Sequence, residues 1–177
     1  MRVAYSPNTN GPIEDVYPNK RASVVVLQNG EHVVRENWGT NFRSPNNSRW
    51  KPWLGREHRC IVPASAFAEP DKNTSKGNMM WRWFTRADKL PFVFAGIWRP
   101  WTGDRGTKKA PNVGDHTLFS IMTTEPNGLV QPIHEQAMPV LLMTAEDVVE
   151  DALEMQKPAA DDVLEVGPLV KPEKKAA

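Results

Sequence analysis

Apolar residues in this chain come in short runs separated by polar stretches rich in Pro, Asn, Gly and charge. Runs of that kind, bounded by turn residues, predict strands more often than helices. The clearest is residues 22–27, apolar and β-branched, followed by Gln28-Asn29-Gly30-Glu31 and a return through residues 32–35. The Asn-Gly pair between two such runs is the signature of a tight hairpin. Residues 59–64 predict a buried strand, with Ser65-Ala66-Phe67-Ala68-Glu69-Pro70 directly after it. Residues 79–85 alternate with period two through Trp81, Arg82 and Trp83, residues 91–98 are strongly apolar, and residues 116–122 read as another strand. The last of these leads into residues 123–139, and a further apolar run, 140–143, leads out. Between the runs, residues 1–20, 36–49, 71–78 and 101–114 read as loops, and 50–54 as a short helix.

Only residues 145–155 show helical periodicity, with Val148, Ala152 and Met155 on one face, an acidic first turn, and Thr144 as N-cap. From Lys157 onward Pro and charge rise, which predicts a frayed end. The expected fold is α+β: a mixed, mostly antiparallel curved sheet or β-barrel-like core with a few short helices. Its expected organisation is one domain over residues 1–156 and a polar tail over 157–177.

Composition adds three constraints. A chain of 177 residues can bury one real core. Its single cysteine forbids an internal disulfide and fits a reducing, cytoplasmic setting. No apolar run approaches the ~20 residues a membrane helix needs, so no membrane partner is expected.

The net charge of +1 hides a segregation. Residues 35–109 hold 15 Lys and Arg against six acids, and residues 110–165 hold one Lys against 11 acids. All seven Trp lie in the basic part. Cations interleaved with rings suit single-stranded nucleic acid, where a stacked base contributes ~1–3 kcal/mol. The same pattern also fits core tryptophans beneath an ordinary solvated face.

The candidate chemistry is sparse. His134 sits between Pro132 and Pro139 on the connection after an apolar run, so it is either an aimed acid–base group or a plain loop histidine. Glu69 lies among small and apolar residues just past a buried strand, where a carboxylate is either paired or pushed up in pKa by desolvation. Cys60 reads as a small buried hydrophobe, with a Cys60–His58 pair as the alternative. The loop at 36–49, dense in amides, hydroxyls and arginines, offers donors for phosphate or sugar. There is no zinc spacing, no phosphate-loop glycine motif and no nucleophile elbow, so neither metal nor cofactor is expected.

Four blocks in order resemble one family: Trp38-Gly39 with Asn41-Phe42-Arg43; Arg59-Cys60-Ile61-Val62-Pro63-Ala64 with Phe67-Ala68-Glu69; Phe94-Ala95-Gly96-Ile97-Trp98; and Thr123-Thr124-Glu125 through Ile133-His134 to Met138-Pro139. Together they resemble the SOS-response-associated peptidase (SRAP) family across residues 15–155, most of the chain. The resemblance implies an α+β domain around a barrel-like core. It also implies a DNA-damage protein that senses abasic sites in single-stranded DNA. Family members crosslink to such sites through an N-terminal cysteine, whose amine and thiol form a thiazolidine with the opened sugar. They are also self-cleaving peptidases and abasic-site lyases.

Carried over residue by residue, the resemblance makes Asn41 a contact to that cysteine and the sugar, and Arg43 a phosphate ligand. Glu69 becomes a proton-transfer group and His134 its acid–base partner. Thr123 lines the DNA site, and Trp38 starts the segment near the strand-separating wedge. An aldehyde attacked by an amine needs a proton donor for the leaving hydroxyl and a base for the amine, and a buried carboxyl with a histidine supplies both.

The chain also departs from the family. Residue 2 is Arg2, the segment after Trp38-Gly39 is short, and Glu135-Gln136-Ala137 lacks the arginine often found after the histidine. The family's opening strand and helix are expected to be missing before residue 5, as in an N-terminally shortened form or a degenerate member. A missing strand would open a sheet edge and invite self-association. Without the cysteine the thiazolidine route is closed, and the alternative reading is a non-catalytic single-stranded nucleic-acid binding module.

Overall fold

In the computed structural model the described residues are 2–5, 14–16, 20–40, 48–75, 77–143 and 154–171. The fold rests on a barrel. Strands β3 (Arg21–Gln28) and β4 (Glu31–Thr40) form the hairpin that Asn29-Gly30 predicts, with both turn residues at positive φ. β5 (Arg59–Ala64) pairs with β3 and with β8 (Phe92–Asp104), and β8 pairs along its length with β9 (Val113–Ile121). The barrel closes where β9 runs parallel to β4, through Trp38↔Leu118, Gly39↔Phe119 and Thr40↔Ser120. Five strands thus close a mixed barrel in the order β8-β5-β3-β4-β9.

Inward positions follow period two: Ala22, Val24 and Val26 of β3, and Cys60, Val62 and Ala64 of β5, are buried. Cys60 is the small buried hydrophobe of its strand, and burial pushes its thiol far up, away from thiolate. Gly96 faces it closely, since a Cβ there would lie 2.9 Å from the Cys60 sulfur.

A second sheet leans on the barrel. It holds β1 (Arg2–Tyr5), β2 (Glu14–Val16), β6 (Ala66–Pro70), β7 (Trp81–Arg86) and β13 (Leu164–Val170), in the order β13-β7-β6-β1-β2. Phe67 joins the layers. Its ring stacks on Phe84 at 4.9 Å and meets Phe94 of the barrel edge-on at 6.0 Å. Short pairs complete the topology: β10 (Thr123–Thr124) with β11 (Met138–Pro139), and β12 (Leu141–Leu142) with β8.

Several sequence expectations need correction. The fold is mostly β. Among the described residues helical structure is confined to short turns, including 3-10 turns at Lys51–Trp53, Arg56–His58 and Asp161–Val163, so the helical half of the α+β expectation is borne out only in part. Most of the periodic segment 145–155 lies outside the described residues.

Residues 1–20 are not all loop, because β1 and β2 lie within them. A strand, β1, thus stands at the start of the described residues, where the family's opening strand was expected to be missing. β1 sits on the edge of β6, with Arg2↔Ala68 and Val3↔Phe67, so that edge of β6 is paired. The long basic loop shrinks because β8 and β9 extend into it. Trp101 stacks on His116 at 5.9 Å, and Thr102 donates to Asp115 at 2.6 Å. Such cross-strand pairs outweigh the local Gly and Pro content.

The segment expected to fray carries β13, held by buried Leu164 and by pairing to β7. Its Gly167-Pro168 pair lies where the register shifts between Val166 and Leu169, a position that tolerates the missing proline N–H.

Candidate functional site

Glu69 comes from β6, a strand whose first four residues are all buried. Covered by the barrel below and by chain above, its carboxyl is desolvated, and burial pushes its pKa from an ordinary 4.5 to about 7. His134 reaches it from a different part of the chain, with Nε2 3.9 Å from Glu69 Oε2. The histidine side chain is 21% exposed and the glutamate's 7%. A ligand arriving from solvent therefore meets the imidazole first and the carboxyl behind it.

Two pieces of local structure aim the histidine. Asn127 caps a tight turn: its Oδ1 accepts from the Val130 N–H at 3.0 Å, and the Ile133 and His134 N–H groups return to the Val130 carbonyl at 2.9 and 2.8 Å. The amide of Asn127 donates to the Ala159 carbonyl at 3.0 Å, and Gly128 N–H donates to Asp161 at 2.7 Å, so the segment before β13 braces the turn. The loop after β6 then clamps the other side. Lys72 N–H donates to the Ile133 carbonyl at 3.0 Å, the Asn73 side chain to the Pro132 carbonyl at 2.9 Å, and Lys72 Nζ pairs with Glu135 at 2.6 Å. The residues immediately after Glu69 thus hold the residues on both sides of His134.

Thr123 lies on β10, opposite Pro139, beside an open groove of about 390 Å³ lined by Thr123, Thr124, Glu125, Gln136, Ala137 and Gln156. Gln156 fixes one wall, donating to the Thr123 carbonyl at 2.7 Å and accepting on its own carbonyl from Thr124 Oγ1 at 3.0 Å. Trp38 sits on β4 of the barrel. Its ring has the Arg21 and Arg105 guanidinium groups each at 5.1 Å and His116 edge-on at 6.1 Å. The structure therefore brings Glu69 and His134 together, places Thr123 on the groove that continues from the histidine loop, and sets Trp38 in a separate cation–aromatic cluster. Asn41 and Arg43 lie outside the described residues.

Sequence reasoning missed Asp71, Asn73 and Asn127, which position the pair. A signal existed for the first two. Asp71-Lys72-Asn73-Thr74 is an Asx-turn sequence directly after Glu69-Pro70, and Asp71 Oδ1 does accept from the Asn73 N–H at 2.9 Å. Among the described residues no three His, Cys, Asp or Glu side chains gather as a metal site.

The SOS response associated peptidase (SRAP) family model matches residues 41–176. The chain belongs to that family. Abasic site processing protein YoaM of Bacillus subtilis is 35% identical over 86 residues, 48% of this chain and 33% of that protein. YoqW of the same organism is 34% identical over 94 residues, 52% of this chain and 36% of that protein. The matched segment thus spans about a third of these curated relatives.

Among solved structures, a protein from Bordetella bronchiseptica superposes with a TM-score of 0.71 at 21% identity, covering 96% of this chain and 92% of its own. One from Bacteroides thetaiotaomicron gives 0.61 at 19%, covering 86% and 75%. Both share the fold. No helix among the described residues is long and apolar enough to cross a membrane.

Asn127 gives this SRAP chain a simple structural test. Asn127→Ala removes the turn's cap and leaves the buried Val130 N–H and the part-buried Ala159 carbonyl without their partner, so unfolding free energy should fall by about 1–3 kcal/mol. Urea melts would measure the loss, and the His134 ring resonances should broaden or shift with it.

Proposed function

We propose that this SRAP domain binds single-stranded DNA at abasic sites and that Glu69 and His134 carry the proton transfers on the opened sugar. The observation that carries this reading is the 3.9 Å approach of a partly exposed imidazole to a buried carboxyl from a strand 65 residues earlier in the chain. A carboxyl with a pKa of about 7 holds a proton half the time at neutral pH, so it can donate to a leaving hydroxyl and accept from an attacking amine. The groove at Thr123 and the basic, tryptophan-bearing strands of the barrel support a nucleic-acid partner. The names of the curated relatives, abasic site processing proteins, support the lesion.

Covalent capture is the finer step of this reading. In the family an amine and a thiol on one N-terminal cysteine add to the sugar aldehyde, releasing water and closing a thiazolidine. Here residue 2 pairs across from Ala68, the neighbour of Glu69, so a cysteine at that position would start beside the pair.

The test is a denaturing gel after incubation with abasic-site single-stranded DNA. The chain as it stands is compared with Arg2→Cys from which the initiator methionine has been removed. A heat-stable shifted band with Arg2→Cys alone supports the reading. No band in either, together with binding that ignores Glu69 and His134, replaces it with a non-catalytic nucleic-acid binding module.

A further inference from the structure

Arg82 lies directly across the strand pair from Glu69. Directly opposed residues share one face of a sheet, with Cβ atoms about 5 Å apart. Asp71 is two residues beyond Glu69, and the ladder continues to it, since the Asp71 N–H donates to the Met80 carbonyl at 2.9 Å. Asp71 is therefore the diagonal neighbour of Arg82 on that same face, within reach of a long side chain. Two carboxyl groups compete for one guanidinium.

The guanidinium takes the diagonal one. Arg82 Nε donates to Asp71 Oδ2 at 3.1 Å, and Nη1 donates to the Gly167 carbonyl at 3.3 Å. The second acceptor exists because β13 bulges between Val166 and Leu169. Glycine fits there without a shift, since a Cβ at residue 167 would come 3.2 Å from the Trp83 carbonyl, tighter than ordinary contact. Asp71 is itself pinned, buried and accepting from both the backbone and side-chain nitrogens of Asn73 at 2.9 Å. Burial alone would raise its carboxyl, but these donors and Arg82 outweigh it and hold Asp71 below the usual range, so it stays anionic.

We propose that Asp71 is a positioning residue: together with the β13 bulge it holds the Arg82 guanidinium away from the Glu69 carboxyl that the His134 imidazole approaches. The inference rests on the reading of Glu69 and His134 as the proton-transfer pair and adds the device that keeps the pair usable. An arginine beside a carboxylate lowers its pKa by roughly 1–3. A Glu69 so paired would be a fixed anion at neutral pH, unable to donate. Among the described residues, the titratable groups that face Glu69 are His134 from the capped turn, Arg82 from β7 and Asp71 beyond β6; the chain's α-amino group also lowers the Glu69 pKa, by its charge and by a hydrogen bond, but by less than burial raises it.

The test is an NMR titration of the Glu69 side-chain carboxyl without DNA, in the wild-type chain, Asp71→Asn, and Asp71→Asn/Arg82→Gln. Asparagine keeps an acceptor for the Asn73 turn and removes the charge that holds Arg82. The Glu69 midpoint should fall from about 7 by roughly one pH unit or more in Asp71→Asn. It should return close to the wild-type value in the double variant, where no cation is left to swing across.

The double variant decides. If the fall came only from losing the Asp71 negative charge, the midpoint would stay low, and the proposal is overturned. An unmoved midpoint in Asp71→Asn overturns it too. Should Asp71→Asn fail to fold, Asp71→Ser, which also keeps an acceptor for the turn, takes its place in both arms. A failure of abasic-site chemistry leaves these titrations unchanged, and a failure of the titrations leaves the DNA result unchanged, so the two readings fall separately.

Discussion

Glu69→Gln should slow crosslinking to abasic-site single-stranded DNA, measured in the Arg2→Cys chain, by about 10²- to 10⁴-fold, the usual worth of a positioned acid–base group. Glutamine matches the shape of the carboxyl and can still hydrogen-bond, but it neither gives up nor takes a proton in the accessible pH range. Binding of the same DNA should change little, because a carboxyl buried behind the imidazole is not a first contact for an incoming strand. His134→Ala should cost a comparable factor, and the double variant little more than either alone, because groups acting as a unit are not additive.

The pH profile adds a second check on that prediction. With Glu69 at about 7, the parent rate should bend near neutrality, and the bend should vanish in Glu69→Gln. A variant that keeps both the rate and the bend would remove Glu69 from the chemistry.

How much of this could be read from residues alone differs from element to element, for physical reasons. The β3–β4 hairpin was legible because Asn29-Gly30 encodes its turn locally, and β5 because Arg59–Ala64 alternates cleanly between buried and half-buried positions. β1, β2 and β13 were not. β1 and β2 are short pieces of a stretch whose neighbouring Pro, Gly and Asn argue locally for loop, β13 carries Gly167-Pro168, and the strand character of all three comes from their partners in the sheet.

The same distinction holds at the site. Glu69 and His134 stood out by setting and by family resemblance, yet nothing in the sequence says that they lie 3.9 Å apart. That distance is made by Lys72 and Asn73 gripping residues 132, 133 and 135, contacts between loops about 60 residues apart in sequence. Arg82 is the extreme case. Read along the chain it is one polar residue in an alternating strand, and only the register places it opposite Glu69 with Asp71 on the diagonal.

The carboxyl proposed to serve the chemistry also weakens the fold, and the sign can be worked through. Glu69 titrates near 4.5 when unfolded and near 7 when folded. Between those values the folded chain keeps a proton that the unfolded chain has released, so stability falls as pH rises through this window and levels off above it. Each tenfold change in proton affinity corresponds to about 1.36 kcal/mol, which makes the burden about 3 kcal/mol at pH 8.

Glu69→Gln removes the titration altogether. It should therefore melt at higher urea than the parent at pH 8, by up to about 3 kcal/mol, and the gap should close as the pH is lowered toward 5. A parent whose stability is flat from pH 5 to 8 relative to the variant would mean that Glu69 titrates normally, and the proton-transfer role would lose its physical basis. The gap and the rate loss should appear in the same variant, since a carboxyl held half-protonated at neutral pH against its own solvation destabilises the fold for the same reason that it can move a proton.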